Sequence, residues 1–236
     1  RVTPLAQVET MLEALGGGDG DPERLNFSGG EPTLHPDFFA ILDAVRARPI
    51  RHVMINTNGL RIAREPDFAA RLAQNKRGLE VYLQFDSLQR EALVELRGAD
   101  LRKIRRQALE NLERHGVSTT LVATIKRGVN DNEIGDIVRH ALTWKCVRGV
   151  TLQPVQDAGR NQNFNKDTDR IMLSEIRRRV IETGVFGDQD MIPLPCNPES
   201  ISIGYGLRNG GKVAPLTAMI PPEQLLAVMP NTISPE

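Results

Sequence analysis

The clearest candidate binding edge in this 236-residue chain is Ser28-Gly29-Gly30-Glu31-Pro32, which directly follows the short apolar run Leu25-Asn26-Phe27. Neighbouring glycines let the backbone turn sharply and bring its carbonyls and amides close to a ligand, since no Cβ blocks the approach. Pro32 favours an extended Glu31, so the segment offers backbone acceptors and a carboxylate, which suit an ammonium group. For this string alone, an ordinary strand-ending turn before the helix at Asp37 remains the alternative.

Four predicted strands place polar side chains on one face. Because side chains alternate along a strand, Tyr82, Gln84 and Asp86 oppose an apolar set on the other face. The same alternation sets Asn56 and Asn58 against Val53 and Ile55, Thr120, Thr124 and Lys126 against Leu121, Ala123 and Ile125, and Thr151 and Gln153 against Val150 and Leu152. Sheets covered on both faces read as continuous apolar runs, so the polar face is predicted to line an open or partial barrel. The alternative is a polar core layer that only satisfies itself.

Two positions on one predicted strand suggest different roles. Gln84 lies deeper in the strand and can both donate and accept hydrogen bonds, which fits a zwitterion or a ribose. Asp86 follows at the carboxyl end, and we expect it nearer the substrate entrance. Asp86 and Lys126 are the candidate catalytic residues, while Lys126 and Arg160 are candidates for contact with an anionic substrate or a cofactor carboxylate.

Helical and strand periods alternate along most of the chain and predict a parallel sheet covered by helices. The predicted strands are Leu25–Phe27, His52–Asn56, Leu79–Phe85, Val117–Ile125 and Gly149–Gln153, and the helices that follow them begin near Asp37, Asp67, Asp100, Glu133 and Ile171. We expect five parallel strands in sequential order and, because a helix precedes the first, a further strand before Arg1. Residues 1–184 form the predicted core, and the proline-rich residues 185–236 are predicted to be an irregular extension.

Composition excludes several classes of protein. Thirty basic and thirty acidic residues cancel, so no overall charge favours nucleic acid or an anionic membrane. The basic runs Arg102-Lys103 and Arg105-Arg106 are predicted to form solvated helix faces. No apolar run approaches a membrane span and no signal segment opens the chain, which indicates a cytoplasmic protein. The first residue is Arg1 rather than methionine, and this suggests a truncated N-terminus.

The order of motifs resembles the radical S-adenosylmethionine (radical SAM) superfamily over about residues 5 to 184. The motifs are SGGEP (from Ser28), INTNG (from Ile55), YLQFDSL (from Tyr82), LRGADL (from Leu96), IKRGVNDNEIG (from Ile125) and LQPVQDAGR (from Leu152). Three of them, LQFD, GVND and QPV, are most similar to the branch of tetraether lipid synthases and pterin-linked methyltransferases. The resemblance implies a partial (β/α)6 barrel, which in this chain would lack its first strand.

The resemblance also implies a cofactor and a reaction. A 4Fe-4S cluster would cleave S-adenosylmethionine to a 5′-deoxyadenosyl radical, which abstracts hydrogen from a small-molecule, lipid or pterin-like substrate, with electrons from a ferredoxin or flavodoxin. By position, Gly29, Gly30 and Glu31, with Pro32, would bind the methionine amino group. Further along, Asn56, Gln84 and Thr124 would line the wall near the sulfonium, methionine or ribose, and Asn130 and the segment from Gln153 to Val155 would hold ribose and adenine.

One feature departs from the superfamily. Its cluster is held by a CxxxCxxC loop upstream of the GGEP motif, and this chain has only Cys146 and Cys196. We therefore expect the cluster ligands upstream of Arg1, and we expect the isolated chain to be inactive. Cys196 is a weak candidate for an auxiliary metal site, with an idle thiol as the alternative. Two other functions stay open: a phosphate-binding (β/α) barrel enzyme, and a cluster-free scaffold that binds a small molecule.

Overall fold

The computed structural model describes residues 2–16, 23–157, 164–194, 197–210 and 212–228. Strands and helices alternate through the first two thirds of the chain. The strands are β1 (Arg24–Phe27), β2 (His52–Thr57), β3 (Leu79–Gln84), β4 (Thr119–Ile125) and β5 (Val147–Pro154). The helices are α1 (Leu5–Gly16), α2 (Phe38–Arg46), α3 (Leu60–Arg64), α4 (Pro66–Gln74), α5 (Arg90–Arg97), α6 (Arg102–His115) and α7 (Ile134–Leu142).

One sheet contains the five strands in the order β1-β2-β3-β4-β5. The pairs β1–β2, β2–β3 and β3–β4 are parallel, with Phe27 opposite Ile55 and Ile55 opposite Val81. Strand β5 runs alongside β4 in the same direction. The Thr119 N–H donates to the Cys146 carbonyl near the start of both strands, and the Val155 N–H donates to the Ile125 carbonyl near their ends. The prediction of five parallel strands in sequential order is therefore confirmed.

Alternating burial along the central strands confirms the predicted polar and apolar faces. Val53 and Ile55 on β2, and Val81 and Leu83 on β3, are fully buried, whereas their neighbours along each strand are partly exposed. Helices α2, α4 and α6 contribute apolar side chains to the same core, among them Leu42, Leu72 and Leu109. This arrangement leaves the opposite face of β2 and β3 available for polar side chains.

Helix α6 shows how local sequence sets an element that positions the site. Ala108, Leu109 and Leu112 are completely buried along one face, and the helix ends at Gly116, whose φ of +63° suits glycine. The helix begins at Arg102, two residues later than predicted. Asp100 lies outside the helix, and its carboxylate accepts a hydrogen bond from the Arg102 backbone N–H (3.2 Å), which fixes the start of the helix at Arg102.

Residues after β5 are more regular than predicted. They form α8 (Lys166–Asp169), α9 (Leu173–Ile181), β6 (Met191–Pro193), β7 (Ser202–Gly204), β8 (Gly206–Asn209), β9 (Lys212–Pro215) and α10 (Pro222–Ala227). The pairs β6–β7 and β8–β9 are antiparallel. The prediction of an irregular extension is wrong here because Pro193 and Pro215 occupy strand ends, where a missing N–H is tolerated. The domain boundary at residue 184 stays a prediction.

The chain divides into two compact units. The first comprises Arg1–Ala123 and Trp144–Thr151, and the second comprises Thr124–Thr143 and Leu152–Glu236. Each is described by itself below. Among the described residues, no helix has the length and apolar character needed to cross a membrane.

Candidate functional site

The glycine loop after β1 leaves open space where side chains would stand. Gly29 has a φ of +125°, which L side chains rarely adopt, and a Cβ built on Gly29 or Gly30 meets no atom within 4 Å. Glu31 is extended (φ −138°, ψ 101°), as the following proline predicts, and Pro32 opens a short 3-10 turn to Leu34. The loop therefore presents its backbone toward space that a ligand can enter.

The Glu31 carboxylate forms hydrogen bonds within the protein. Its Oε1 accepts hydrogen bonds from the Thr33 backbone N–H (3.2 Å), the Thr33 hydroxyl (2.6 Å) and the Thr57 hydroxyl (2.7 Å), and its Oε2 accepts the Asn58 N–H (2.7 Å). These four donors use most of the acceptor capacity of a carboxylate. Glu31 thus ties the glycine loop to the end of β2, and the backbone of Gly29 and Gly30 is left as the part that faces a ligand.

The turn after β2 joins the glycine loop to a buried arginine. The Asn58 N–H is held by Glu31, and the Asn58 carbonyl accepts a hydrogen bond from Arg105 Nη1 on α6. Gly59 follows with a φ of +73°, and a Cβ there would overlap Leu83 Cδ1. Only glycine fits between this turn and β3, which explains the Asn58-Gly59 pair physically.

Arg105 is the most unusual charged group in the first unit. It is 1% exposed, and its Nε and Nη2 atoms have no hydrogen-bond partner. Burial lowers the pKa of Arg105 to about 10, partly opposed by the charges of Asp86 and Glu31. A pKa near 10 still leaves the guanidinium protonated at neutral pH. A buried cation with unpaired donors is costly, and an anionic ligand would satisfy it.

Sequence reasoning missed Arg105 as a functional residue. The prediction that Arg105 and Arg106 share a solvated face is wrong for Arg105, although Arg106 is exposed and pairs with Glu110 (3.1 Å). The signal was available, because Arg105 lies four residues after Leu101 and four before Leu109, on the apolar side of α6. A basic residue on a buried helix stripe indicates a partner, and among the described residues the Arg105 side chain has one hydrogen bond, to the Asn58 carbonyl.

Gln84 and Asp86 differ from the prediction in one respect. Strand β3 ends at Gln84, and Asp86 has a φ of +65°, so the alternation of faces stops between them. Asp86 is 0% exposed, and both of its oxygens accept hydrogen bonds of 2.7 Å from Arg97. With its amide oriented to match, Gln84 Oε1 accepts from Arg97 Nη2 (3.0 Å) and Nη1 (3.1 Å). The ion pair with Arg97 therefore buries Asp86, and its candidate catalytic role near the substrate entrance stays a prediction.

The different contacts of Asp86 and Gln84 predict different contributions to stability. We expect Asp86→Asn to lower the free energy of unfolding by about 1–3 kcal/mol, since Arg97 loses an ionised partner within a buried contact. Gln84→Ala removes no charge, and we expect it to lower the free energy of unfolding by less than Asp86→Asn does. Urea unfolding of the two variants beside the wild type measures the difference. Equal destabilisation would contradict the assignment of the Arg97 pairing to Asp86.

In the first unit, Asn56 also lies where the alternation places it. It is partly exposed on β2 and stands opposite Tyr82 in the β2–β3 register. Asn56 and Gln84 therefore project from the same face of neighbouring strands, and this part of the predicted polar wall is present within the first unit.

In the second unit, the polar side chains of the loop after β4 form hydrogen bonds and an ion pair within that unit. Asn130 is fully buried, with Oδ1 accepting the Lys126 N–H (2.9 Å) and Nδ2 donating to the Thr124 carbonyl (2.8 Å). The Lys126 ammonium lies 3.4 Å from the Asp169 carboxylate. The candidate roles of Thr124, Lys126 and Asn130 in binding or catalysis stay predictions.

The remaining sequence candidates fall in two groups. Gln153 lies on β5 with an exposed side chain, and Val155 is 9% exposed, with its N–H bonded to the Ile125 carbonyl (2.9 Å). Their proposed contacts with a cofactor stay predictions. Arg160 and Cys196 lie outside the described residues.

The described residues do not fit an iron–sulfur cluster. No group of three or more His, Cys, Asp or Glu side chains among them can hold a metal ion. Burial, followed by the contact with Glu113, raises the pKa of the Cys146 thiol to about 12, which disfavours the thiolate that a cluster needs. No step of a reaction is therefore assigned to a cluster in this part of the chain.

Comparison with protein families and curated proteins gives consistent matches. The model described as "Radical SAM superfamily" matches residues 1–141. A 7,8-dihydro-6-hydroxymethylpterin dimethyltransferase from Methanocaldococcus jannaschii is 32% identical over 193 residues, which cover 80% of this chain and 38% of that protein. A GTP 3′,8-cyclase from Chlorobaculum tepidum is 35% identical over 213 residues, covering 83% of this chain and 60% of that protein. The chain thus spans less than two thirds of these relatives.

Solved structures match in fold. Streptococcus suis SuiB, crystallised with S-adenosylmethionine, superposes with a TM-score of 0.63 at 19% identity, over 78% of this chain and 41% of SuiB. At this identity the likeness concerns the fold alone. It confirms the predicted α/β fold class of the partial-barrel type.

Proposed function

The chain belongs to the radical SAM superfamily, and from that premise we propose that its first unit binds the methionine end of S-adenosylmethionine. The observation that carries the proposal is the buried Arg105 guanidinium, whose Nε and Nη2 have no partner. The methionine end of the cofactor carries a carboxylate, which would supply the missing acceptors through charge-assisted hydrogen bonds. Because Arg105 is 1% exposed, the proposal requires this side chain to become accessible when the cofactor binds. The matched relatives are enzymes, which supports an enzymatic role.

Each neighbour of Arg105 receives a role by its chemistry. The backbone of Gly29 and Gly30 would accept hydrogen bonds from the cofactor's ammonium group, in the space that no Cβ occupies. Glu31 positions that backbone rather than contacting the ligand. Asn56 and Gln84, which project from one face, would contact the sulfonium or ribose. Thr124, Asn130, Gln153 and Val155, all in the second unit, stay candidates for contact with ribose and adenine on the resemblance alone.

The complete enzyme requires more than the described residues supply. We propose that cysteines upstream of Arg1 hold a 4Fe-4S cluster, and that an electron donor such as ferredoxin or flavodoxin serves it. When bound, S-adenosylmethionine and the cluster supply a 5′-deoxyadenosyl radical for hydrogen abstraction. The pterin dimethyltransferase relative supports a small-molecule, pterin-like substrate. A cytoplasmic location is part of the same proposal.

Calorimetric titration of this chain with S-adenosylmethionine tests the proposal. We expect weak but saturable binding, because the chain lacks the bonds that a cluster would make to the cofactor. Inorganic phosphate should not compete, which separates this function from a phosphate-binding barrel. Absence of binding, or displacement by phosphate at equal concentration, would contradict the proposed function.

Gly30→Val gives a sharper result, because the space beside Gly30 is empty without ligand. A Cβ at position 30 would meet no atom of the described residues within 4 Å, so we expect little change in the free energy of unfolding. The branched Cβ of valine would occupy the approach to the backbone, and binding should fall roughly tenfold or more. Gly30→Ala, with one methyl group, should weaken binding less. A loss of stability equal to the loss of binding would show that the space belongs to the fold and not to a ligand.

A further inference from the structure

A second cluster of polar side chains lies on the same face of the sheet as Asn56 and Gln84, nearer the amino ends of the strands. We call it the Glu80 cluster: Arg24, His52, Glu80, Tyr82 and Thr120, all in the first unit. His52 Nε2 lies 3.1 Å from Glu80 Oε2, and the Thr120 hydroxyl donates to Glu80 Oε1. Arg24 stands opposite His52 in the β1–β2 register. Tyr82 shares the face of Glu80, since the two are separated by one residue on β3.

The cluster has no part in holding the methionine end. Glu80 precedes Gln84 by four residues on β3, which places it about 13 Å away along the strand, toward the amino ends. Layers of side chains on the inner face of such sheets are ordinarily filled by branched apolar residues. The Glu80 side chain is only 15% exposed and has one hydrogen-bond partner on each oxygen, so a ligand with further donors would stabilise its charge.

The acceptors that remain on Glu80 define the chemistry of that ligand. An ionised carboxylate offers about four acceptor sites and no donor. Thr120 uses a site on Oε1 and His52 uses one on Oε2, so one further site is left on each oxygen. Two oxygens with one site each match a planar group that presents two parallel N–H donors.

Tyr82 limits the chemical class of the ligand further. Burial, followed by the charge of Glu80, raises the pKa of Tyr82, so the phenol is neutral and its ring is available as an apolar wall. A flat aromatic heterocycle with paired donors fits both residues. The 2-amino-4-oxopyrimidine edge of a pterin has an amino group beside a ring N–H, which supplies such a pair.

We propose that the Glu80 cluster is the substrate subsite of this enzyme, and that the Glu80 carboxylate accepts the amino and ring N–H groups of a 2-amino-4-oxopyrimidine. The inference rests on the proposed function, because it names the substrate contact of the same enzyme. It assigns Glu80 a role in specificity, Tyr82 a role in contacting the ring, and His52 and Thr120 positioning roles that orient the carboxylate.

The test compares two fluorescent ligands that differ in one group. In the presence of S-adenosylmethionine, this chain is titrated with 6-hydroxymethylpterin and with 6-hydroxymethyllumazine, which has a 2-oxo group in place of the 2-amino group. The lumazine loses one donor and turns an oxygen toward Glu80. We expect it to bind roughly 5- to 150-fold more weakly than the pterin.

Glu80→Gln should change this preference, because the amide replaces one acceptor with a donor. The pterin should then lose affinity and the lumazine should gain relative to it, so the ratio of the two affinities falls or reverses. A merely structural role would weaken both ligands alike. Glu110→Gln, on the exposed face of α6, is the matched control and should leave the ratio unchanged.

Several outcomes would overturn the inference. These are no pterin binding by the wild type, equal binding of pterin and lumazine, and an unchanged ratio in Glu80→Gln. If Glu80→Gln fails to fold, the preference of the wild-type chain still decides. Parallel titration with S-adenosylmethionine separates the two proposals, since cofactor binding without pterin binding refutes only the subsite.

Discussion

Replacing Arg105 with methionine should strongly weaken cofactor binding while changing the stability of the chain little. The free protein carries a buried guanidinium with two unsatisfied nitrogens, and methionine fills a similar length of space without any donor. Replacing a whole buried ion pair with apolar residues of like volume is often neutral or stabilising. Here the removal of an incompletely paired cation is offset by the loss of the Arg105 donor at the Asn58 carbonyl, so we expect the free energy of unfolding to change by about 1 kcal/mol or less. Loss of one partner of a buried charge pair costs the complex 2–5 kcal/mol or more, so affinity for S-adenosylmethionine should fall roughly 30-fold or further.

Arg106→Met is the matched control for this result. Arg106 is the next residue on the same helix, its side chain is 78% exposed, and its ion pair with Glu110 is also at the surface. We expect that change to leave binding intact and to alter stability by about 0.5 kcal/mol at most. Thermal unfolding and calorimetry on the two variants give both quantities. If Arg105→Met destabilises the chain and leaves binding unchanged, Arg105 is a structural residue and the proposed function loses its main support.

Glu31→Ala should destabilise the first unit more than any other single change considered for the glycine loop. Four donors converge on the Glu31 carboxylate, from Thr33, Thr57 and Asn58, and alanine would leave all of them without that acceptor. Each buried donor left unpaired costs about 1–3 kcal/mol, and losses within one network do not add fully. We expect a net loss of about 3–5 kcal/mol in the free energy of unfolding.

Two further variants identify the source of that loss. Thr57→Val retains the carboxylate but removes one donor to Glu31 and the acceptor of the Gly59 N–H (3.1 Å), so it should cost about 1–3 kcal/mol, less than Glu31→Ala. Glu65→Ala removes an exposed carboxylate that pairs with Arg61 (2.9 Å) and should cost about 0.5 kcal/mol. Urea unfolding of the three variants gives the order directly. A stable Glu31→Ala chain would mean that the carboxylate does not hold the loop, and that Glu31 is free to contact a ligand as the sequence resemblance implies.

Local sequence was sufficient for the element order and for the identity of the glycine loop. The period of two in β2 and β3 predicts which side chains are buried, because a strand with one covered face must alternate. Proline after Glu31 predicts the extended conformation that the structure has. The helical stripe through Leu109 and Leu112 likewise predicts α6 and its end at Gly116. These features depend on residues near one another in the chain, so short-range rules describe them.

Contacts between distant residues decided which of the predicted side chains are available to a ligand. The sequence alone predicts that the Glu31 carboxylate is available to a ligand. In the structure the ends of β1 and β2 are adjacent, and the Thr57 hydroxyl and the Asn58 N–H donate hydrogen bonds to the two Glu31 oxygens. Asp86 looks like the next polar position on β3, but the chain turns at a positive φ and Arg97 buries the carboxylate. Both pairings depend on the packing of separate elements, which periodicity does not encode.

Arg105 shows the limit of sequence reasoning most directly. Beside Arg106 it reads as one more surface charge, although its place on the stripe of α6 is visible in the sequence. Only the tertiary structure shows that the Asn58 carbonyl satisfies one nitrogen and that two others are unpaired. The sequence by itself determined the superfamily, the parallel order of strands and the position of the glycine loop, because these follow from local patterns. The tertiary structure decided which charged side chains are hydrogen-bonded within the protein and which still have donors or acceptors for a ligand. Packing sets this, because it brings hydrogen-bond partners together from distant parts of the chain.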